Sequence, residues 1–453
     1  MVLVAACAAR NDPPPGQPAG DSGLAPHASA PPHDLALRVD SIFGRWDSRE
    51  TPGCVVAADL QGQRVLSRAY GMADLEHSVE NGTESILEAG SVAKQLTAGA
   101  VVLLALDGGL SLDDDVRRHL PELPDYGSTI TIRHLLNHTS GLRDWGSVAA
   151  ISGWSRSERT HDHAHVLEIL SRQSALNYPP GAAYSYTNSG YNLLAIIVER
   201  VSGRSFADFS RERIFEPLGM GSTQWRDDYR RIVAGRTSAY TLRDGDFLID
   251  RPIEQVHGNG GLLTTVGDLL RWDRALASGE LGGSHFVELM HERGVLNDGR
   301  LITYASGVQI GSRRGVPEVS HTGATSGYRA FLGRYPDQHL TVALLCNVGA
   351  ASPGELGGAV VDLFLEALAP AWSPPARAGA VEIPLSQLEA RAGLYRDVLS
   401  GEPLRLTMDA GALRMEGGPR LIALSPAVMR VGDGDQHLEF EPAADGVHQR
   451  IRV

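Results

Sequence analysis

Strand-like runs stand at the two ends of one long stretch of this chain, with helices and loops between them. The near end carries Cys54 to Leu60 and Arg64 to Ala69, which Gln61-Gly62-Gln63 joins as a hairpin. The far end carries Thr303 to Ile310, Gly327 to Arg334 and Leu340 to Cys346. A strand must pair, so runs this far apart predict one antiparallel sheet assembled from both ends and covered by helices. Short amphipathic helices are expected over Leu35 to Trp46 and Val360 to Leu368, outside the two ends. Between them, residues 110 to 260 mix short helices with loops, the clearest helix running from Tyr191 to Val201 and stopping at Gly203.

Of the 41 basic residues only Lys94 is a lysine. Arginine replaces lysine wherever a permanent cation will do, but it cannot give up its proton. Lys94 lies three residues after Ser91, at the start of an apolar helix with Leu96, Ala100, Leu103 and Leu104 at helical spacing. Residues i and i+3 share a helix face. Ser91 and Lys94 thus read as a nucleophile beside a deprotonatable amine, with Ser91 at the positive end of the helix dipole.

The formal net charge is −13 and no basic run appears, which argues against nucleic-acid binding. No stretch approaches the ~20 apolar residues of a membrane span. Val4-Ala5-Ala6-Cys7 resembles a bacterial lipobox, which makes Cys7 a candidate lipid anchor and the cell envelope or periplasm the expected location. Residues 11 to 33, rich in Pro, Gly, Ala and Ser, read as an extended tether. Cys54 and Cys346 sit in apolar strand-like runs and are expected to be two buried free thiols rather than a disulfide. Trp372 to Ala376 marks a second boundary. The expected division is a lipobox and linker over 1–33, a catalytic domain over 34–370, a linker over 371–383 and a small β-barrel or sandwich over 384–453.

Three further segments bear on Ser91: Tyr186-Thr187-Asn188 before a helix, His321-Thr322-Gly323-Ala324 at the expected start of a strand, and His138-Thr139-Ser140-Gly141-Leu142. With Ser91-Val92-Ala93-Lys94, in this order, the chain resembles the serine β-lactamase and penicillin-binding-protein superfamily. It is most similar to the branch of class C β-lactamases, D-alanyl-D-alanine carboxypeptidases and related esterases. Gly260-Gly261-Leu262 through Asp268 fits the same branch. The resemblance covers about residues 35 to 370 and implies an α/β (α+β) catalytic domain with a helical subdomain, and no metal or cofactor. It also likens the C-terminal β domain, with Gly393-Leu394-Tyr395 near its start, to lipocalin-like appendages. Such a domain could cap the site, mediate oligomers or only add stability.

The resemblance implies catalytic roles for Ser91, Lys94 and Tyr186, with either Lys94 or Tyr186 as the base. Asn188 would orient Lys94 and the substrate amide, and the backbone N–H groups of Ser91 and Ala324 would form the oxyanion hole. Gly323 would let the strand approach the substrate. His321 stands where β-lactamases carry a lysine, and a neutral imidazole anchors a carboxylate more weakly. Esters, amides or peptides are therefore expected in preference to β-lactams. Within the same chemistry a D-alanyl-D-alanine carboxypeptidase or D-aminopeptidase is the alternative. A penicillin-binding sensor without turnover is the alternative of another class.

Rival motifs are weaker. In His161-Asp162-His163-Ala164-His165 the three imidazoles do not share a helix face, so a surface helix start is expected in place of a metal site. Gly258-Asn259-Gly260-Gly261 lacks the third glycine of a dinucleotide loop, and no G-x-S-x-G elbow occurs. Trp145, Tyr240 and Tyr328 are candidate cleft residues.

Overall fold

A computed structural model describes residues 33–368, 380–396, 403–409, 411–416, 419–432, 437–442 and 449–452. The lipobox-like segment with Cys7 and residues 371–379 of the expected linker lie outside them. The sheet does close from both ends. Cys54–Leu60 (β1), Gln63–Tyr70 (β2), Gln309–Arg313 (β3), Val316–Thr325 (β4), Tyr328–Tyr335 (β5) and Leu340–Cys346 (β6) form six strands in the order β3-β4-β5-β6-β1-β2. Every neighbouring pair is antiparallel.

β6 is buried at every residue and β1 at all but its last. Both faces are covered, which is why these strands read as unbroken apolar runs rather than alternating ones. Alternation reappears in the packing. Val55, Ala57, Ala343 and Leu345 join one core, while Cys54, Val56, Ala58, Val342 and Leu344 join the other. The second core is closed by His33–Phe43 (α1), through Leu35, Val39 and Phe43, and by a C-terminal helix over Pro353–Leu368, through Val360, Val361, Phe364 and Leu365. The first core is closed by Lys94–Leu106 (α2), Asn188–Ser202 (α4) and Val266–Ser278 (α5), with His163–Ser171 (α3) packed outside α4; the Pro353–Leu368 helix is α6.

The far end differs from the sequence pattern in two places. Thr303 to Val308 is not a strand. Gly307 takes φ +79, and a Cβ there would meet the Lys94 carbonyl carbon and the Gln95 nitrogen at 2.7 Å, so this segment lies across the start of α2. Conversely β4 is a full ten-residue strand, with His321 in its interior rather than at its start. Pro317 and mixed burial hide it, since an apolar pattern is the signal for a strand.

Cys54 and Cys346 form a disulfide across 292 residues, in place of the expected free thiols. The reason is register. The two are direct partners on adjacent strands, and partners share a face at one level of the sheet.

Beyond residue 380 the described strands form two small antiparallel sheets. Gly393–Arg396, Pro403–Asp409 and Ala412–Met415 make one; Leu421–Ala423, Val428–Val431, His437–Pro442 and Gln449–Arg452 make the other. Leu406, Leu413, Leu421, Met429, Leu438 and Phe440 supply their own core. A single Arg414–Arg420 bridge links the sheets, and no closed barrel exists among the described residues.

Closing so long a loop removes much unfolded-chain entropy. The Cys54→Ala/Cys346→Ala double variant should lose about 3–5 kcal/mol in equilibrium urea unfolding while keeping its secondary structure. An unchanged midpoint and slope would show that the bond adds nothing to stability.

Candidate active site

The chain enters the site from the short strand Leu87–Glu88 and turns through a tight 3-10 turn, Gly90–Ala93, before α2 begins at Lys94. Ser91 thus stands in the turn, one step ahead of the helix whose start the spacing assigned to it. The turn lies hard against β4. A Cβ on Gly323 would sit 2.1 Å from the Ala89 oxygen and 3.0 Å from the Ser91 nitrogen; one on Gly90, at φ +50, would sit 2.6 Å from the Ala324 nitrogen. Only glycine permits this approach. It sets the backbone of Ser91 beside that of Ala324, and both residues line the cleft.

Lys94 is completely buried. Its Nζ donates to Ser91 Oγ at 3.2 Å, Asn188 Oδ1 at 3.0 Å and the Asn259 carbonyl at 2.7 Å. All three acceptors are neutral. Burial pushes the ammonium well below the usual lysine range; the nearby Arg156 guanidinium adds to this, and Asp144 opposes it. Arg156 is clamped by Glu254 through two hydrogen bonds. Glu254 lies beside Arg226, which forms a fully buried pair with Glu88. Asn188 opens α4, and its own N–H reaches Asp144 Oδ2 at 2.8 Å.

Tyr186 lines the same cleft, with the Lys94 amine 4.8 Å over its ring. The residue is 37 % exposed, yet its hydroxyl lies deep among protein atoms. That position raises its hydroxyl pKa, which a hydrogen bond with Ser91 partly offsets. Behind it, Tyr184, Tyr191, Tyr304 and His138 form an aromatic wall, with His138 4.3 Å from Tyr186 and 4.6 Å from Tyr304 between ring centres. Tyr304 went unread because it falls in the run mistaken for a strand.

The cleft has a volume of about 540 Å³. Ser91, Tyr186, Asn188 and Ala324 border it; Gly323 and His321 do not. His321 is turned inward, with Nε2 on the Tyr304 hydroxyl at 3.0 Å and Nδ1 on the Thr322 carbonyl. Burial and the neighbouring Lys94 push its pKa down to about 4, so it is neutral at pH 7. Trp145, Tyr240 and Tyr328 are buried and leave the cleft to others. They serve as braces: Trp145 donates to Asn192, Tyr328 to the Thr237 carbonyl, and Tyr240 accepts from the Leu75 N–H.

The model of the beta-lactamase family matches residues 40–363. The chain belongs to the beta-lactamase family. Among its relatives, a penicillin-binding protein of Bacillus subtilis is 31 % identical over 315 residues, covering 65 % of this chain and 68 % of that one. A D-aminopeptidase of Cereibacter sphaeroides is 30 % identical over 405 residues, covering 87 % and 75 %. The octameric penicillin-binding protein homologue from Pyrococcus abyssi shares the fold, with a TM-score of 0.67 at 23 % identity over 90 % of this chain and 95 % of that one. A D-amino acid amidase from Ochrobactrum anthropi also shares it, with a TM-score of 0.61 at 23 % identity over 75 % and 100 %. As in that family, the architecture is α/β with a large antiparallel sheet.

The close approach of turn and strand generates a test. With the Ser91 and Ala324 N–H groups as the oxyanion hole that the resemblance implies, Gly323→Ala should lower kcat by about 10²–10³, because the new methyl must push the two backbones apart. Ester hydrolysis and circular dichroism measured together would check it, and full activity in a folded variant would contradict it.

Proposed function

We propose that this beta-lactamase-family hydrolase cleaves amide or ester bonds through an acyl-enzyme on Ser91. The observation that carries the reading is the buried Lys94 amine, 3.2 Å from Ser91 Oγ and surrounded by neutral acceptors. An ammonium there would have no counter-ion in contact, so the neutral amine is favoured; its two N–H groups then go to Asn188 Oδ1 and the Asn259 carbonyl, and its lone pair faces Ser91 Oγ to take the serine proton. Tyr186 has a raised pKa and stays protonated, which suits it to pass a proton rather than to be the base. As Ser91 Oγ bonds to the substrate carbonyl carbon, the oxyanion forms against the N–H groups of Ser91 and Ala324. Collapse breaks the bond to the leaving nitrogen or oxygen, which receives the proton held by Lys94 through Tyr186. Water then attacks the acyl ester and releases Ser91.

Amino-acid amides and short peptides fit this cleft best. Asp250 and Arg329 both line it, and neither is in an ion pair among the described residues. Arg329 is held by the Ser326 and Tyr328 carbonyls and feels the charge of Asp250, and this pair of opposite charges on the cleft wall suits a substrate with an amine or a carboxylate near its scissile bond. The relatives named D-aminopeptidase support the same class and favour D-configured acyl groups. His321, neutral and turned inward, offers β-lactams no carboxylate anchor. The disulfide supports an oxidising compartment, and with the lipobox-like Val4 to Cys7 we infer a place in the cell envelope.

Purified protein should turn over a D-amino-acid amide and p-nitrophenyl butyrate, and Ser91→Ala should lose at least about 10³-fold of each rate. Nitrocefin should be the poorest substrate. A single burst of product without turnover would replace this reading with the sensor.

The pH profile carries a signed expectation. Activity rises as Lys94 loses its proton, so its lowered pKa sets the acid limb of kcat/KM. Arg156→Gln removes a cation that lowers that pKa. The limb should therefore move to higher pH, and a limb that stays or moves down would reject Lys94 as the base.

A further inference from the structure

The histidine run at the start of α3 divides in the folded chain. His161 is buried with Nε2 on the Trp154 carbonyl, and His165 turns back to cap the Asp162 N–H. His163 goes the other way, toward α4 and the loop before Leu262. There it meets Glu199, near the end of α4, and His257, buried in that loop. One donor atom from each of the three lies within 4.8 Å of the other two.

The hydrogen bonds prepare two of these groups as ligands. His163 Nε2 faces the His257 carbonyl at 3.0 Å. A carbonyl only accepts, so this nitrogen carries the proton; the His257 N–H also approaches it, but at 3.4 Å and as the weaker contact. The lone pair of His163 then sits on Nδ1, which is 4.0 Å from Glu199 Oε2. His257 Nδ1 is fixed by the Gln255 carbonyl at 2.9 Å, which leaves the lone pair on Nε2. A ring N–H on a backbone carbonyl is the arrangement that orients metal-bound histidines. Glu199 Oε1 accepts from the Phe206 N–H at 3.1 Å, so the carboxylate is oriented too.

We propose that His163, Glu199 and His257 bind a divalent transition cation, zinc by preference, outside the catalytic cleft. Two imidazoles and one carboxylate are a borderline-soft donor set that suits zinc with water in the fourth position. Tetrahedral zinc with bonds of about 2.0–2.2 Å sets its donors roughly 3.3 Å apart, so each side chain closes by about 1 Å. None of the three lines the cleft, so the ion is kept from the substrate. Its effect reaches the chemistry through the chain. His257 precedes Gly258, whose carbonyl holds the Thr97 hydroxyl, and Asn259, whose carbonyl holds the Lys94 amine. The ion ties this loop to α3 and α4, and so acts on the positioning of Lys94.

The test reads the metal itself, without substrate, and so stands apart from the hydrolase reading. Untagged full-length protein is loaded with Zn²⁺, dialysed and measured by elemental analysis. About one zinc per chain is expected, falling below about 0.1 in His163→Ala and in Glu199→Gln, which keeps the acceptor for Phe206 but not the charge. His165→Ala should keep the zinc. Loading with Co²⁺ should give the intense visible bands of a four-coordinate ion in the unaltered protein, a readout that needs no variant. Zinc-free wild-type protein, absent cobalt bands, or full loading in folded His163→Ala would each overturn the proposal. The last would move the ion elsewhere, for instance to the group of half-buried Asp74 with exposed Glu76 and His77.

Discussion

Lys94 Nζ is buried against three partners that carry no charge, Ser91 Oγ, Asn188 Oδ1 and the Asn259 carbonyl, and that burial holds its pKa well below the usual lysine range. Burying an unpaired ammonium costs several kcal/mol, so a carboxylate in contact would restore the charge. Asp144, the acid whose charge acts on Lys94, is taken up by the Ser147 and Asn188 N–H groups, and the acids around Arg156 are engaged by arginine. Glu254 faces Arg156 and Arg226, and Glu88 faces Arg226 in full burial. Arginine stays charged in such places and lysine does not. A chain that uses arginine for every permanent cation and lysine once is following this division.

The sheet supplies the second half of the site. β4 meets the turn before α2 at Gly90 and Gly323 with no side chain between them. Ser91 and Ala324 therefore belong to different layers, and backbone contact keeps them side by side. The loop through Gly258 and Asn259 fixes the amine from a third direction, since Asn192 of α4 binds both the His257 carbonyl and the Asn259 side chain. Position is shared among elements far apart in sequence.

This distribution explains what the sequence could tell. β1 and β6 were legible because burial on both faces leaves unbroken apolar runs. The Ser91–Lys94 pair could be read from its i, i+3 spacing, whereas Tyr186 and Asn188 were joined to it only by the family resemblance; the structure brings the four together. Other features depend on register or distant contacts. The Cys54–Cys346 bond requires knowing that β1 pairs with β6 and in which phase. The inward turn of His321 requires Tyr304, which reaches it from a segment laid over α2. β4 was hidden by its proline and polar residues, although the site rests on it. The chain from Glu88 through Arg226 and Glu254 to Arg156 leaves no local pattern.

The strand order also bears on how the protein is made. β1 emerges early from the ribosome, but one of its two edges waits for β6, which is synthesised only after the whole helical layer and β3 to β5. Until then that apolar edge is open to any other strand. The helical layer is encoded as an insertion between the two halves of the sheet and can begin to form while the halves are still apart. Release of a chain cut short before Leu340 would leave β1 permanently half-paired, so truncated products should be marked for aggregation or proteolysis rather than for partial activity.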